Sequence, residues 1–196
     1  MPLQRSDTAI CFSNFYRKHF SDNRKRVFVF GINPGRFGAG ITSIPFTDPY
    51  ELEVACGIAN PGPKKRELSA MFVYQVIDML GGPKNFYRDF FLSAVCPIGF
   101  VRNNRNWNYY DDPKGIALLT PFITDKMWEQ LQIGARRDTA IVLGKKNAKI
   151  FGALNENCAW FENLIALEHP RYIMQYKRKQ VDKYLAEYQL AFQTAI

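Results

Sequence analysis

Val27-Phe28-Val29-Phe30-Gly31-Ile32-Asn33-Pro34-Gly35-Arg36-Phe37-Gly38-Ala39-Gly40 decides how the rest of the chain is read. Its first four residues are β-branched or aromatic with no polar residue between them. That is the pattern of a strand buried on both faces, as in a parallel sheet, and Gly31 ends it. A glycine-rich loop follows as far as Asp48, where Asp48-Pro49 has the cap-plus-proline signature of a helix start.

Outward from this strand, helix and strand signals alternate. Thr8–Phe20 is amphipathic and helical. Glu67–Leu80 places Leu68, Met71, Phe72, Val76, Met79 and Leu80 at helical spacing, and Gly81-Gly82-Pro83 stops it. Phe90–Val95 is a second strand running into Cys96-Pro97. Asp112-Pro113 and Thr120-Pro121 each open a helix, the pair ending near Gly134. Thr139–Leu143 is a third strand closed by Gly144, with a helix over Lys145–Asn157. Leu164–Leu167 is a fourth strand ending at Glu168-His169-Pro170. A last helix carries Val181, Tyr184, Leu185, Tyr188 and Phe192 on one face.

Strands separated by helices pair in parallel through right-handed crossovers, so the fold class is α/β with helices on both faces of one sheet. The length of 196 residues, without repeat or linker, fits a single domain spanning residues 1–196. Ligands of such sheets bind beyond the carboxyl ends of the strands. Gly31–Gly40, the loop after Val95, Gly144-Lys145 and His169-Pro170 are therefore expected on one rim.

Composition narrows the function. Hydrophobic residues make up 47% and charged residues 22%, an ordinary globular balance, and 26 Lys+Arg against 18 Asp+Glu leave a net charge of +8. That surplus points to an anionic partner, and 15% aromatic residues suit a surface that stacks bases as well as a packed core. No stretch is long and apolar enough to span a bilayer, so no membrane partner is expected. Met1 to Thr8 has no hydrophobic signal core, so a cytoplasmic, bacterial-type location is expected. Cys11, Cys56, Cys96 and Cys158 are scattered without a C-x-x-C pair and read as small buried hydrophobes. His19 and His169 are the only histidines, which excludes a His-rich metal centre.

Three segments carry chemistry. In Gly31–Gly40, extended by Ile44-Pro45-Phe46, glycines let the backbone approach a ligand, and Asn33 beside Pro34 presents an amide able to hold a water or a sugar hydroxyl. The loop is neither a P-loop nor G-x-G-x-x-G, and its glycines alone read equally as a turn leaving a strand. His169 ends a strand at the ligand rim, where Pro170 restricts it to extended geometry and projects it outward. A packed or capping histidine is the alternative. Arg171 to Lys179 interleaves basic and aromatic residues, which fits phosphate contacts and a wedge in a base stack. Its alternative is the solvated start of the last helix, with Tyr176 or Ile173 buried. Lys145-Lys146 begins a helix with positive charge, suited to phosphate but common on plain surfaces.

Together these segments resemble the single-strand-selective monofunctional branch of the uracil-DNA glycosylase superfamily. Gly31 to Gly38 with Pro45-Phe46 is similar to its first motif, His169-Pro170 to its second, and Phe91 to Pro97 to its central base-reading strand. The resemblance implies a three-layer α/β/α sandwich around a four-stranded parallel sheet. It also implies hydrolysis of the N-glycosidic bond of a damaged DNA base without metal or cofactor. Nothing in the sequence suggests more than a monomer.

In that reading Asn33 orients water and His169 stabilises the departing base. Phe46 stacks on the flipped base, and Gly31, Ile32, Gly35, Ala39, Ser93 and Ala94 surround it. Lys145, Lys146, Arg171, Tyr172, Ile173, Met174 and Lys177 contact DNA, the Arg171–Lys177 segment as the wedge. Physics supports the division of labour. A base in a duplex must be flipped out to expose its glycosidic bond, and a fixed donor aimed at the departing anion stabilises bond breaking. No lysine nucleophile is needed, so strand cleavage is not expected.

The chain departs from the family at two places. Ala94, after Ser93, stands where relatives carry an asparagine that reads uracil, leaving Ser93, Asn103, Asn104 or Asn106 as substitutes. Losing a bidentate reader relaxes base choice, so oxidised pyrimidines such as 5-hydroxymethyluracil, and xanthine and hypoxanthine, join uracil as expected substrates. His169-Pro170 continues as Arg171-Tyr172 where relatives have Ser-Pro-Arg, which changes the wedge. Two other readings compete: a catalytically silent nucleic-acid-binding domain on the same fold, favoured by Ala94, and a nucleotide-binding enzyme of doubly wound type.

Overall fold

The computed structural model describes residues 5–196, so Met1 to Gln4 of the N-terminal stretch lie outside the described residues. In chain order the elements begin with α1 (Arg5–His19), β1 (Arg26–Gly31), α2 (Ala39–Thr42), α3 (Pro49–Val54), α4 (Leu68–Met79) and α5 (Gly82–Asp89). Next come β2 (Phe90–Ala94), β3 (Phe100–Arg102), β4 (Arg105–Trp107) and α6 (Pro113–Leu131). The chain ends with β5 (Ala135–Leu143), α7 (Lys145–Cys158), β6 (Asn163–Leu167), α8 (Pro170–Tyr176) and α9 (Val181–Thr194).

The main sheet has four strands in the order β2-β1-β5-β6, every neighbouring pair parallel. Side chains alternate across a strand, and here the alternation builds two cores. Val27, Val29, Phe90, Leu92, Ile141 and Leu143 face one, filled from α4, α8 and α9 by residues such as Phe72, Ile173 and Phe192. Phe28, Phe30, Phe91, Ala140 and Val142 face the other, filled by Met127 of α6, Phe151 of α7 and Trp160. The expected α/β/α sandwich on a four-stranded parallel sheet is what the chain forms. All of β1 is buried, as its unbroken apolar run requires.

Local signals place the loops. Asp48 caps α3 by accepting from Glu51 N at 2.8 Å, and its other oxygen accepts from Glu67 N at 2.6 Å, so one buried carboxylate ties two helix starts together.

Three expectations are corrected. Thr120-Pro121 opens no second helix: α6 runs through with Pro121 inside, on an exposed position. The hydroxyl of Thr120 donates back to Ile116 O at 2.9 Å, the mid-helix habit of threonine, instead of capping. Between β2 and α6 the chain makes an antiparallel hairpin, β3–β4, that the strand pattern does not announce. The basic–aromatic stretch after His169 is a helix of its own, α8, separated from α9 by a 3-10 turn over Arg178–Gln180.

Candidate active site

Asn33 lies just past the end of β1, over the carboxyl ends of the sheet. Its Nδ2 donates to Trp107 O at 3.2 Å and its Oδ1 accepts from Tyr109 N at 3.2 Å. Each backbone partner tells the amide nitrogen from the oxygen, so the orientation is set. A primary amide has two N–H groups and two carbonyl lone pairs. One of each stays open to a ligand.

Phe46 lies across the strand end. A Cβ on Gly31 would come within 2.6 Å of Phe46 Cζ, so only glycine leaves room for the ring. Phe46 also adopts φ 55°, the left-handed region that aromatic residues rarely occupy. Its neighbours hold it there: Thr42 Oγ1 donates to Thr47 O at 2.6 Å and accepts from Ile44 N at 3.1 Å. The ring centroid stands 6.1 Å from that of His169.

His169 is the N-cap of α8, with Pro170 at the first helical position and Nδ1 accepting from Arg171 N at 3.2 Å. An accepting Nδ1 carries no proton, so in the neutral ring the proton sits on Nε2. Burial, and then the nearby Arg171 charge, lower its pKa from the usual 6.5 to about 4. At neutral pH His169 is an uncharged donor of fixed tautomer.

A cleft of about 630 Å³ joins these parts. Asn33 and His169 line it, with Phe46, Gly31, Ile32, Gly35 and Ala39 from the glycine-rich segment. Ser93 and Ala94 enter from β2, and Arg171 and Tyr172 from α8. The other expected DNA contacts are not brought to the cleft. Lys145 pairs with Glu168 at 2.9 Å, Lys146 lies 4.6 Å over the Tyr110 ring, and Lys177 follows the end of α8. Ile173 and Met174, expected in the wedge, are instead buried in the core beneath α8. Helical spacing turns Tyr172 and Tyr176 outward as it turns Ile173 inward, and the two rings sit 5.4 Å apart on the exposed face.

The sequence profile of the uracil DNA glycosylase superfamily matches residues 18–193, nearly the whole chain. The chain belongs to that superfamily. It is thus a DNA glycosylase, a hydrolase with a DNA substrate and a uracil DNA glycosylase-type function. A solved structure of wild-type SMUG2 from Pedobacter heparinus is 38% identical, with a TM-score of 0.93, covering 97% of this chain and 84% of that one. That likeness supports the branch expected from the motifs. No curated protein sequence matches the chain.

Sequence reasoning missed several groups in the cleft of this glycosylase. Glu67, at the N-cap of α4, lines it, and burial, then the charge of Asp48, push its carboxyl pKa up. Its Oε2 lies where a Cβ on Gly38 would be, so the glycine-rich loop closes directly over a carboxyl group. Nothing local marks Glu67. It reaches the cleft because Asp48 holds its backbone, a contact across 19 positions. Tyr110 and Gln175 also line the cleft, from the loop after β4 and from α8. Ser93 lines it too, but its hydroxyl donates to Gln130 Oε1 and so is committed to α6. Asn106 accepts from Arg36 N at 3.2 Å and braces the loop.

Proposed function

We propose that this chain is a monofunctional DNA glycosylase of base excision repair, acting as a monomer through one domain of residues 1–196. It hydrolyses the N-glycosidic bond of uracil flipped out of DNA, and of xanthine, hypoxanthine and 5-hydroxymethyluracil. The observation that carries the reading is the pairing, in one cleft, of an amide fixed by two backbone groups with a neutral imidazole whose free proton is on Nε2.

The chemistry follows from that pair. The flipped base stacks on Phe46 with C1′ near Asn33. As the C1′–N bond breaks, its electron pair leaves with the base and positive charge develops on the sugar. His169 Nε2–H donates to a base carbonyl oxygen and stabilises the anion. The open lone pair on Asn33 Oδ1 accepts a hydrogen bond from water and turns the water oxygen toward C1′. A C1′–O bond forms, the water gives up a proton, and the base leaves protonated. No lysine takes part, so the abasic strand stays intact.

Breadth beyond uracil is supported by the β2 wall. Ala94 has no polar side chain and Ser93 points its hydroxyl to Gln130, so β2 offers no side-chain amide to reject a wrong Watson–Crick edge. The same feature favours the second reading, a silent DNA-binding domain. The test is base release from oligonucleotides carrying each base, single-stranded or duplex, with alkali added afterwards. Strand scission that depends on alkali is expected for uracil and for the deaminated purines. Inert purines beside a cleaved uracil would remove xanthine and hypoxanthine from the range. No release from any substrate, with DNA binding intact, would leave the silent domain.

A further inference from the structure

The β3–β4 hairpin, beyond the backbone carbonyl that Trp107 offers to Asn33, forms one bank of the cleft. Asn104, Arg105 and Asn106 line the cleft together with residues of α8, and Arg36 Nη1 donates to Asn104 Oδ1 at 3.5 Å. The two turn residues, Asn103 and Asn104, have φ 50° and 57°. Two successive left-handed residues make the tight turn that suits a right-twisted hairpin, and asparagine tolerates it.

Against that favourable turn stands an unfavourable pair. Arg102 and Arg105 are direct cross-strand partners on the two sides of the turn. Like charges placed opposite each other destabilise a ribbon, and a two-stranded ribbon is marginal to begin with. The stretch Ile98 to Trp107 contains no acidic residue. Among the described residues neither arginine forms an ion pair. Arg102 is propped 4.8 Å over the Trp107 ring, and both arginines line a groove of about 460 Å³ on the hairpin itself. An anion seated between the two charges would relieve that conflict.

We propose that Arg102 and Arg105 form a phosphate clamp that grips the DNA backbone in the hairpin groove, which adjoins the cleft at Arg105. The proposal rests on DNA as the substrate. It deepens that reading by giving the cleft two DNA-binding banks, an arginine hairpin and the Arg171–Tyr172 helix. The hairpin is coupled to the chemistry. Trp107, the last residue of β4, supplies the carbonyl that accepts from Asn33, so a strand held by the clamp lies against the element that fixes the water-orienting amide.

The test measures binding of an undamaged fluorescent DNA duplex over a range of salt, which involves no base release. Removing one charge that neutralises a phosphate lowers the slope of log affinity against log salt by about 0.9. Arg105→Gln is expected to lower it by about 0.9, and Arg102→Gln with Arg105→Gln by about 1.8. Lys84→Gln, on α5 at the far end of the sheet, is expected to leave it unchanged.

Thermal melting without DNA gives the opposite sign: Arg105→Gln melts no lower than wild type, because a repulsion has been removed. The clamp is overturned by an unchanged slope in the double variant, by an equal drop in Lys84→Gln, or by a lower melting temperature for Arg105→Gln alone. Failure of the wild type to release any base would instead overturn the glycosylase reading, and the slopes would still decide the clamp.

Discussion

Asn33 and His169 line the same cleft but are held in different ways. The amide of Asn33 is fixed by Trp107 and Tyr109, 74 and 76 positions away. The imidazole of His169 is fixed by Arg171, two positions away, in a cap that its own helix supplies. One group depends on the tertiary fold and the other on local chain geometry. The first fails when a distant loop moves, whereas the second survives as long as α8 forms.

The largest effects are expected where either group is removed. Asn33→Ala should lower the single-turnover rate of base release by roughly 10²–10⁴-fold, the range for a positioned group acting on a proton in flight. His169→Ala should cost roughly 10²–10³-fold, as for loss of one fixed donor to a developing anion. The contrast is sharpened by Asn33→Asp, which keeps an oxygen for water and for the Tyr109 N–H, loses the donor to Trp107 O, and leaves His169 and its cap alone. A rate like that of Asn33→Ala would place the effect in the tertiary brace. A wild-type rate would break the comparison.

Gly31→Ala comes next. The new methyl must displace the Phe46 ring, for which the nearest approach is 2.6 Å. Overpacking of this sort costs about 1–3 kcal/mol. Chemical denaturation should show that loss, and base release should fall with it because the stacking platform has moved. Phe46→Ala in the same background makes room for the methyl. With the ring gone, the added methyl should cost little stability beyond the loss from Phe46→Ala alone, and the activity should stay lost. Recovered activity would show that the ring does not serve the base.

Within α8 the two faces should separate cleanly. Ile173→Ala removes a fully buried side chain and should cost about 2–5 kcal/mol of stability. Tyr172→Ala, on the exposed face, should change stability by less than about 0.5 kcal/mol and weaken DNA binding instead. Equal binding losses per unit of stability in both variants would mean that α8 acts only as scaffold.

The same difference between local and distant determinants decides what the sequence reveals. The apolar run from Val27 to Phe30, the Asp48-Pro49 cap and the strand ending at His169-Pro170 are each specified by neighbours in the chain, and each is legible there. The sheet and most of the cleft follow from them. The Glu67 carboxyl is not legible, because a contact to Asp48 delivers it. The β3–β4 hairpin hides because its strands are three residues each and carry polar residues. Pro121 misleads because a proline on an exposed helix position mimics a helix start. Ile173 and Met174 mislead for a different reason. A basic, aromatic segment reads as wholly exposed until its helical phase is known.

The smallest effect expected is that of pH on the rate, and it follows from the same comparison. The Asn33 amide does not titrate, so pH can reach this pair only through His169. With its pKa lowered to about 4, His169 stays neutral across the range of about pH 5 to 8, and the rate of the chemical step should be flat there. Protonation below that range places a proton on Nδ1, which can no longer accept from Arg171 N, and both the cap and the rate should fall. Stability responds earlier. His19 is lowered to about 4 as well, chiefly by burial, so the unfolded chain binds both protons more readily than the folded one. Stability is therefore full above the unfolded value of 6.5 and declines as pH falls toward 4. Melting temperatures should drop through that window while the rate stays level, and His169→Gln should make the drop shallower. A rate that titrates near 6.5, the ordinary histidine value, would mean that the imidazole is solvated in the working enzyme and that its tautomer is not held by the cap.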